Sequence, residues 1–144
     1  MRVMLDTTYI LPLIGVDIKG VAGARQILDL LDSEDQFCVN ELSLFEALGK
    51  ARTLIKDDGT RRRVEEGFEA ILHSDRLELL PLMDETTMPL VLDILAEGTR
   101  DLPDAVISAS AMMNADILLT EAKDIHVLLR ERGFSCTNLR DFLS

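Results

Sequence analysis

The chain has 144 residues, 47% of them hydrophobic, with 8 Gly, 4 Pro, two Cys and a net charge of −11. That length suits one domain, residues 1–144, with a single core, and the composition excludes a disordered or low-complexity chain. No apolar run approaches the ~20 residues that span a bilayer, and Asp6 interrupts any secretory segment after Leu5, so no membrane partner and a cytoplasmic location are expected.

"RVML" is a short apolar strand ending at Asp6, and "TTYILPLIG" continues as helix. "GARQILDLL" keeps helical spacing through Ala24, Ile27, Leu28 and Leu31. "QFCVN" is a second buried strand, and "ELSLFEALGKARTLI" a helix whose expected apolar stripe is Leu42, Phe45, Leu48 and Leu54 or Ile55. "DDGT" reads as a turn before an amphipathic helix, Arg61 to Leu72, with Val64, Phe68, Ile71 and Leu72 inward. "RLELLPL" is a third strand closed by Pro81. Asp84 is a candidate cap for a helix carrying Leu90, Leu92, Ile94 and Leu95 to Gly98.

Pro103 suits the first turn of a helix running to about Asn114. "DILLT" is a fourth strand, "KDIHVLLRERG" a helix ending at Gly133, and "FSCTNL" a last strand. Strands and helices alternate, and each crossover is long enough for parallel pairing. The expectation is an α/β three-layer sandwich around a mostly parallel sheet of about five strands. Cys38 and Cys136 fall in separate strands and read as reduced thiols.

Four acids fall at positions where chemistry is usually built. Asp6 follows the first strand at its carboxyl end, where ligands of open parallel sheets bind, although an N-cap explains a lone aspartate equally well. Glu46 lies on or beside its helix's apolar stripe, where a carboxylate must reach solvent or a cation. Asp104 shares the inward face of its helix with Ile107, Ser108 and Ala111. The helix dipole favours it there, and the small-residue run Ala105 to Ala111 lets that helix sit close to the strands. Asp124 follows the fourth strand, with Glu121 an alternative in the same loop.

Two carboxylates about 5 Å apart repel by roughly 3 kcal/mol at an effective dielectric near 20, a cost that a divalent cation removes. With oxygen donors and no Cys/His zinc spacing, the ion expected is Mg²⁺ or Mn²⁺. The charge of −11 repels a polyanion at long range, but Lys50, Arg52, Lys56 and Arg61-Arg62-Arg63 gather six of the fifteen basic residues in one region. A solvated helix surface explains that cluster as readily.

The segments "MLDTTYIL", "NELSLFEALGK" and "LPDAVISASAMMNADILLTEAKDI" resemble, in pattern and order along nearly the whole chain, the PIN-domain ribonucleases that include the VapC-like toxins. The resemblance assigns Asp6, Glu46 and Asp104 to the family's first three acidic positions, and Thr7 and Thr120 to hydroxyl residues that support the site. The fourth position departs from the family pattern, with Ala122 where many members carry Asp or Asn; Asp124 takes that role, with Glu121 as substitute.

The resemblance implies metal-dependent cleavage of single-stranded RNA, an antitoxin as partner and a homodimer. On that basis Asp6 and Asp104 would be direct ligands, while Glu46 and Asp124 would hold metal-bound water or a second ion. An inactive PIN-like scaffold for RNA binding or protein interaction is the competing expectation. A phosphoacceptor receiver domain fits worse, because Asp6 stands alone after the first strand and no lysine follows Cys136.

Overall fold

A computed structural model describes residues 1–144. In chain order it comprises β1 (Arg2–Leu5), α1 (Thr7–Ile10), a 3-10 turn (Leu11–Ile14), α2 (Ala24–Leu31), β2 (Gln36–Asn40) and α3 (Glu41–Ala51). A second 3-10 turn (Arg52–Leu54), α4 (Asp58–Leu72), β3 (Leu77–Leu80), α5 (Met88–Ala96) and α6 (Leu102–Asn114) follow. The remainder is β4 (Ile117–Leu119), α7 (Lys123–Glu131), β5 (Cys136–Thr137) and α8 (Leu139–Leu143). None of these helices is long and apolar enough to cross a membrane.

The five strands run β3-β2-β1-β4-β5, and every pair is parallel. The expected strand alternation with helices is therefore borne out, and the sheet is parallel throughout. Both faces are covered, which explains why Val3, Met4 and Leu5 are all fully buried and read as an unbroken apolar run. Successive residues face opposite sides. Val3, Leu5, Phe37, Val39 and Leu119 pack with Tyr9, Ile27 and Val64, whereas Met4, Cys38 and Leu118 pack with Ile107, Ile125 and Leu129. Cys38 and Cys136 are free thiols.

The structure corrects several local expectations. In α3 the buried residues are Ser43, Ala47 and Ala51, while Phe45 is 75% exposed and Leu48 and Ile55 are also exposed. Small side chains let α3 lie close to α1 and α6, and a stripe of Leu42, Phe45 and Leu48 would have held it off. Leu28, Leu72 and Leu92 likewise face solvent, with Leu30 and Val91 buried beside them. "DDGT" is no free turn: Asp57 caps α4 in a reciprocal capping box with Thr60. Asp84 caps the turn before α5, accepting from the amides of Thr86 and Thr87, and Thr87 occupies the cap position itself. The last expected strand shrinks to Cys136–Thr137, and Asn138 then caps α8, which periodicity over so few residues did not reveal.

One close approach fixes α4 against the turn after α1. A Cβ on Gly67 would lie 2.6 Å from the Leu13 carbonyl oxygen and 2.7 Å from Ile14 Cα, both backbone atoms that cannot swing aside. Gly67→Ala is expected to destabilise the fold by about 1–3 kcal/mol through overpacking. Gly49→Ala, where the added methyl meets nothing within 4 Å in the last turn of α3, should stabilise by about 0.5–1 kcal/mol. Urea midpoints of the two variants should therefore move in opposite directions; a shift of both the same way would contradict this packing.

Candidate active site

The site is built where the strand order turns back on itself. β1 is flanked by β2 and β4, so the chain leaves neighbouring strands towards opposite faces and opens a crevice at their carboxyl ends. Asp6 sits there, 8% exposed, with its amide donating to the Leu119 carbonyl at 3.0 Å and so extending the β1–β4 ladder by one residue. Each of its carboxylate oxygens takes a donor. The Thr7 amide reaches Oδ1 at 2.7 Å as the cap of α1, and the Thr120 hydroxyl reaches Oδ2 at 2.5 Å from the end of β4. Asp6 is thus both an N-cap and a held acid; the two readings of the sequence do not compete.

Glu46 enters from α3. Its Oε1 accepts from the Thr7 hydroxyl at 2.9 Å, which ties the second acid to the residue that caps against the first. Partial burial raises its pKa, the Thr7 hydroxyl works against that rise, and the Asp6 charge adds to it. Position 46 is fixed by Asn40, a fully buried residue that closes β2 and caps α3. Its amide donates to the Pro81 carbonyl and to Ser110 Oγ, both at 3.0 Å, and its carbonyl takes the Leu42 amide at 2.8 Å. One side chain therefore pins α3, the end of β3 and α6 together.

Asp104 lies in the first turn of α6, and its amide is capped by Asp101 Oδ1 at 3.0 Å. No hydrogen bond reaches its own carboxylate. Desolvation, then the charges of Asp101, Asp6, Asp124 and Glu46, push its pKa up to about 6. The four sequence-predicted acids thus share one electrostatic environment. Asp101 joins them unpredicted; the signal for it was the acid at the cap position of "DLPD", three residues before Asp104.

Asp124 is exposed in the first turn of α7 and lines a cleft of about 550 Å³ together with Asp101, Asp104 and Arg100. Glu121 is turned elsewhere: it accepts from the Tyr9 hydroxyl at 2.7 Å, and that hydroxyl also receives the Leu139 amide at 2.9 Å. Glu121 is absent from the charges that act on Asp104. Thr120 is held from three sides, since its amide donates to the Thr137 carbonyl and its hydroxyl takes the Ala122 amide as well as serving Asp6. Its carbonyl faces His126 Nε2 at 2.8 Å. A carbonyl can only accept, so Nε2 carries the proton.

The donor set suits a hard divalent cation: carboxylate oxygens only, with both thiols pushed up to about 11 by burial and so kept protonated. Ser43 and Ser108, one turn from Glu46 and Asp104 on the same faces, are buried with hydroxyls that find no partner, so the polar capacity beside the acids is not exhausted. As placed, no three Asp, Glu, His or Cys side chains stand within reach of one ion. The acids form a ring of separate carboxylates, two of them parked on threonine hydroxyls, and side-chain rotation is needed to converge on a shared centre.

Solved structures of similar shape include VapBC2 from Rickettsia felis bound to a DNA fragment from its promoter (TM-score 0.66, 18% identity, 96% of this chain and 98% of that one). FitAB bound to the IR36 DNA fragment matches with a TM-score of 0.67 at 17% identity over 94% of each chain. A toxin–antitoxin complex from Klebsiella pneumoniae matches with a TM-score of 0.53 at 17% identity over 83% of this chain and 86% of that one. At such identities these likenesses speak for the fold. No curated protein sequence matches the chain. The PIN domain family model, however, matches residues 3–128, a span that runs from β1 through Asp6, Glu46, Asp104 and Asp124 into α7, and the chain belongs to the PIN domain family.

Proposed function

We propose that this protein is a metal-dependent endoribonuclease that hydrolyses phosphodiester bonds of single-stranded RNA in the cytoplasm as the toxin of a toxin–antitoxin pair. Membership of a family whose members are generally nucleases supports the reaction class. One similar structure is described as a toxin–antitoxin complex, and that supports the antitoxin as partner. The observation that carries most weight is the raised Asp104 carboxyl, pushed to about 6 by burial, by Asp101 at the cap of its own helix, and by Asp6, Asp124 and Glu46 from separate parts of the chain. A structural cluster gains nothing from that repulsion; a cation site does.

In this reading Asp6 and Asp104 would hold Mg²⁺ or Mn²⁺ directly, and Glu46 and Asp124 would hold metal-bound water or a second ion. Asp124 is preferred to Glu121, which Tyr9 engages. When bound, the ion lowers the pKa of a water and stabilises charge on the scissile phosphate. The chain's own contribution is to gather the acids at one edge, short of convergence on a single centre. Thr120 and the Thr7 amide hold the Asp6 carboxylate, the Thr7 hydroxyl holds Glu46, and the Asp104 carboxyl is left without a hydrogen-bond donor. The exposed Met88 and Leu92 on α5 supply an apolar contact for a homodimer.

A scaffold without catalysis is the second reading. It is favoured by the exposed position of Asp124 and by the lack of a preformed three-acid group. Manganese-stimulated cleavage of single-stranded RNA decides between them. Asp6→Asn and Asp104→Asn are each expected to lower the cleavage rate by at least about 100-fold with an unchanged circular dichroism spectrum. Wild-type rates in both variants would exclude this site.

The raised carboxyls also set a pH dependence. A group that binds its proton more tightly folded than unfolded stabilises the fold while protonated, and that contribution is lost as pH rises from the unfolded value, about 3.9, through the folded one. With Asp104 at about 6, the metal-free protein should melt at a higher temperature at pH 5 than at pH 7, and Asp104→Asn should flatten that difference. Mn²⁺ should reverse the slope, raising the melting temperature more at pH 7 than at pH 5, because protons and metal compete for the same oxygens. A manganese effect independent of pH would place binding elsewhere.

A further inference from the structure

The charge of −11 is spread very unevenly. Residues 50–63 hold six cations against the two carboxylates of Asp57 and Asp58, a net of +4, which leaves −15 on the rest of the chain. All six cations are exposed, and none takes part in any of the three ion pairs of the structure. No hydrogen bond holds their side chains either, whereas Arg2, Arg76 and Arg132 are all engaged elsewhere.

These cations also form a path. Lys50 is four residues after Glu46, on the same side of α3, and its charge stabilises the Glu46 carboxylate, so the path begins at the ring of acids. Arg52 lies about 9 Å further along the helix axis than Glu46. Beyond the 3-10 turn, Lys56 and Arg63 flank a hollow of about 280 Å³ with Thr60, over a floor of Ile14 and Leu54. The turn Leu11–Ile14 packs against both α3 and α4 and holds the two halves of the path in one frame. The Gly67 contact locks the same joint.

The geometry points to Lys50, Arg52, Lys56 and Arg63 as a phosphate-binding track that leads a single RNA strand from the α3–α4 joint to the acids at Glu46. The inference rests on the single-stranded RNA reading above. It resolves the conflict between a polyanionic substrate and an acidic protein, because the strand is held by one basic strip while the remaining surface repels it. Binding through such a strip depends on salt and tolerates sequence, since it engages backbone and not bases. Arg61 and Arg62 do not line this hollow and are left out of the track.

The test uses a fluorescent, mixed-sequence single-stranded oligoribonucleotide in Mg²⁺ buffer, with Asp104→Asn in every protein so that the RNA stays intact. Adding Lys50→Gln, Arg52→Gln, Lys56→Gln and Arg63→Gln together is expected to weaken binding at least tenfold near 0.1 M salt. It should also flatten the slope of log Kd against log salt by about 3, at about 0.7 per lost contact. Arg25→Gln with Arg140→Gln, exposed cations on α2 and α8, should leave both quantities unchanged. All the substituted side chains are exposed, and a melting curve verifies folding.

An unaltered affinity and slope in the quadruple variant overturns the track, as does a change in oligomeric state by sedimentation with RNA binding intact, which would make the strip a protein interface. Cleavage with Asp104 restored separates the two levels. If the otherwise wild-type protein cleaves in an Asp6-dependent way and the quadruple variant keeps the same KM, the track alone is wrong. If the wild type neither binds nor cleaves RNA, the nuclease reading falls and takes the track with it.

Discussion

Parallel pairing of β1 with β4 puts the ends of two strands side by side, and the hydrogen bond from the Thr120 hydroxyl to Asp6 closes that junction at 2.5 Å. Strand order turns there, so α1 leaves β1 and α7 follows β4 towards opposite faces, and a carboxylate can stand in the gap without blocking either. The rest of the site is hung from this pair. Thr7 caps with its amide and hands its hydroxyl to Glu46; Asn40 holds the helix that carries Glu46 against the helix that carries Asp104. Asp6 and Glu46 are thereby fixed through neutral donors, which costs less than pairing them with buried cations.

That economy has an electrostatic consequence. The donors hold Asp6 and Glu46 but do not neutralise them, and Asp104 receives no donor at all, so burial first and then the repulsion of its neighbours lift it to about 6. On Glu46 the Thr7 hydroxyl and the Lys50 charge work against the rise. The edge is therefore held under electrostatic strain that binding of a cation would relieve.

The strand and helix order was legible because a sheet buried on both faces writes unbroken apolar runs such as "RVML" and "QFCVN", and because glycine and proline punctuate the crossovers. Asp6 and Asp104 were legible for the same reason: a strand end and a helix start are visible in sequence. The inward face of α3 was not. Periodicity credits large apolar residues, and Phe45 and Leu48 outweighed Ser43, Ala47 and Ala51, although close helix packing selects the small ones.

Glu46 was found on a stripe that turned out to be exposed; its position beside Ala47 is what brings it inward. Asn40 and Tyr9 escaped notice because their hydrogen bonds to Pro81, Ser110, Glu121 and Leu139 join residues far apart in sequence and leave no periodic trace, whereas Asp101 and His126 act on near neighbours but fall outside the apolar periodicity. The choice between Asp124 and Glu121 also stayed open in the sequence, since it turns on where the Tyr9 hydroxyl points.

Tyr9 bears on how the protein comes to be made. Its hydroxyl links residues 121 and 139, and the Thr120 amide relies on the Thr137 carbonyl, so the junction at Asp6 leans on β5 and the start of α8. During synthesis from the amino end, residues 1–120 emerge with every acid but Asp124 already present, yet the Thr120 amide and the Tyr9 hydroxyl lack their partners at 137 and 139 until those residues follow. Assembly of the acidic edge is thus a late event in the chain's own translation, and a nascent polypeptide still short of those residues carries the groups without their alignment.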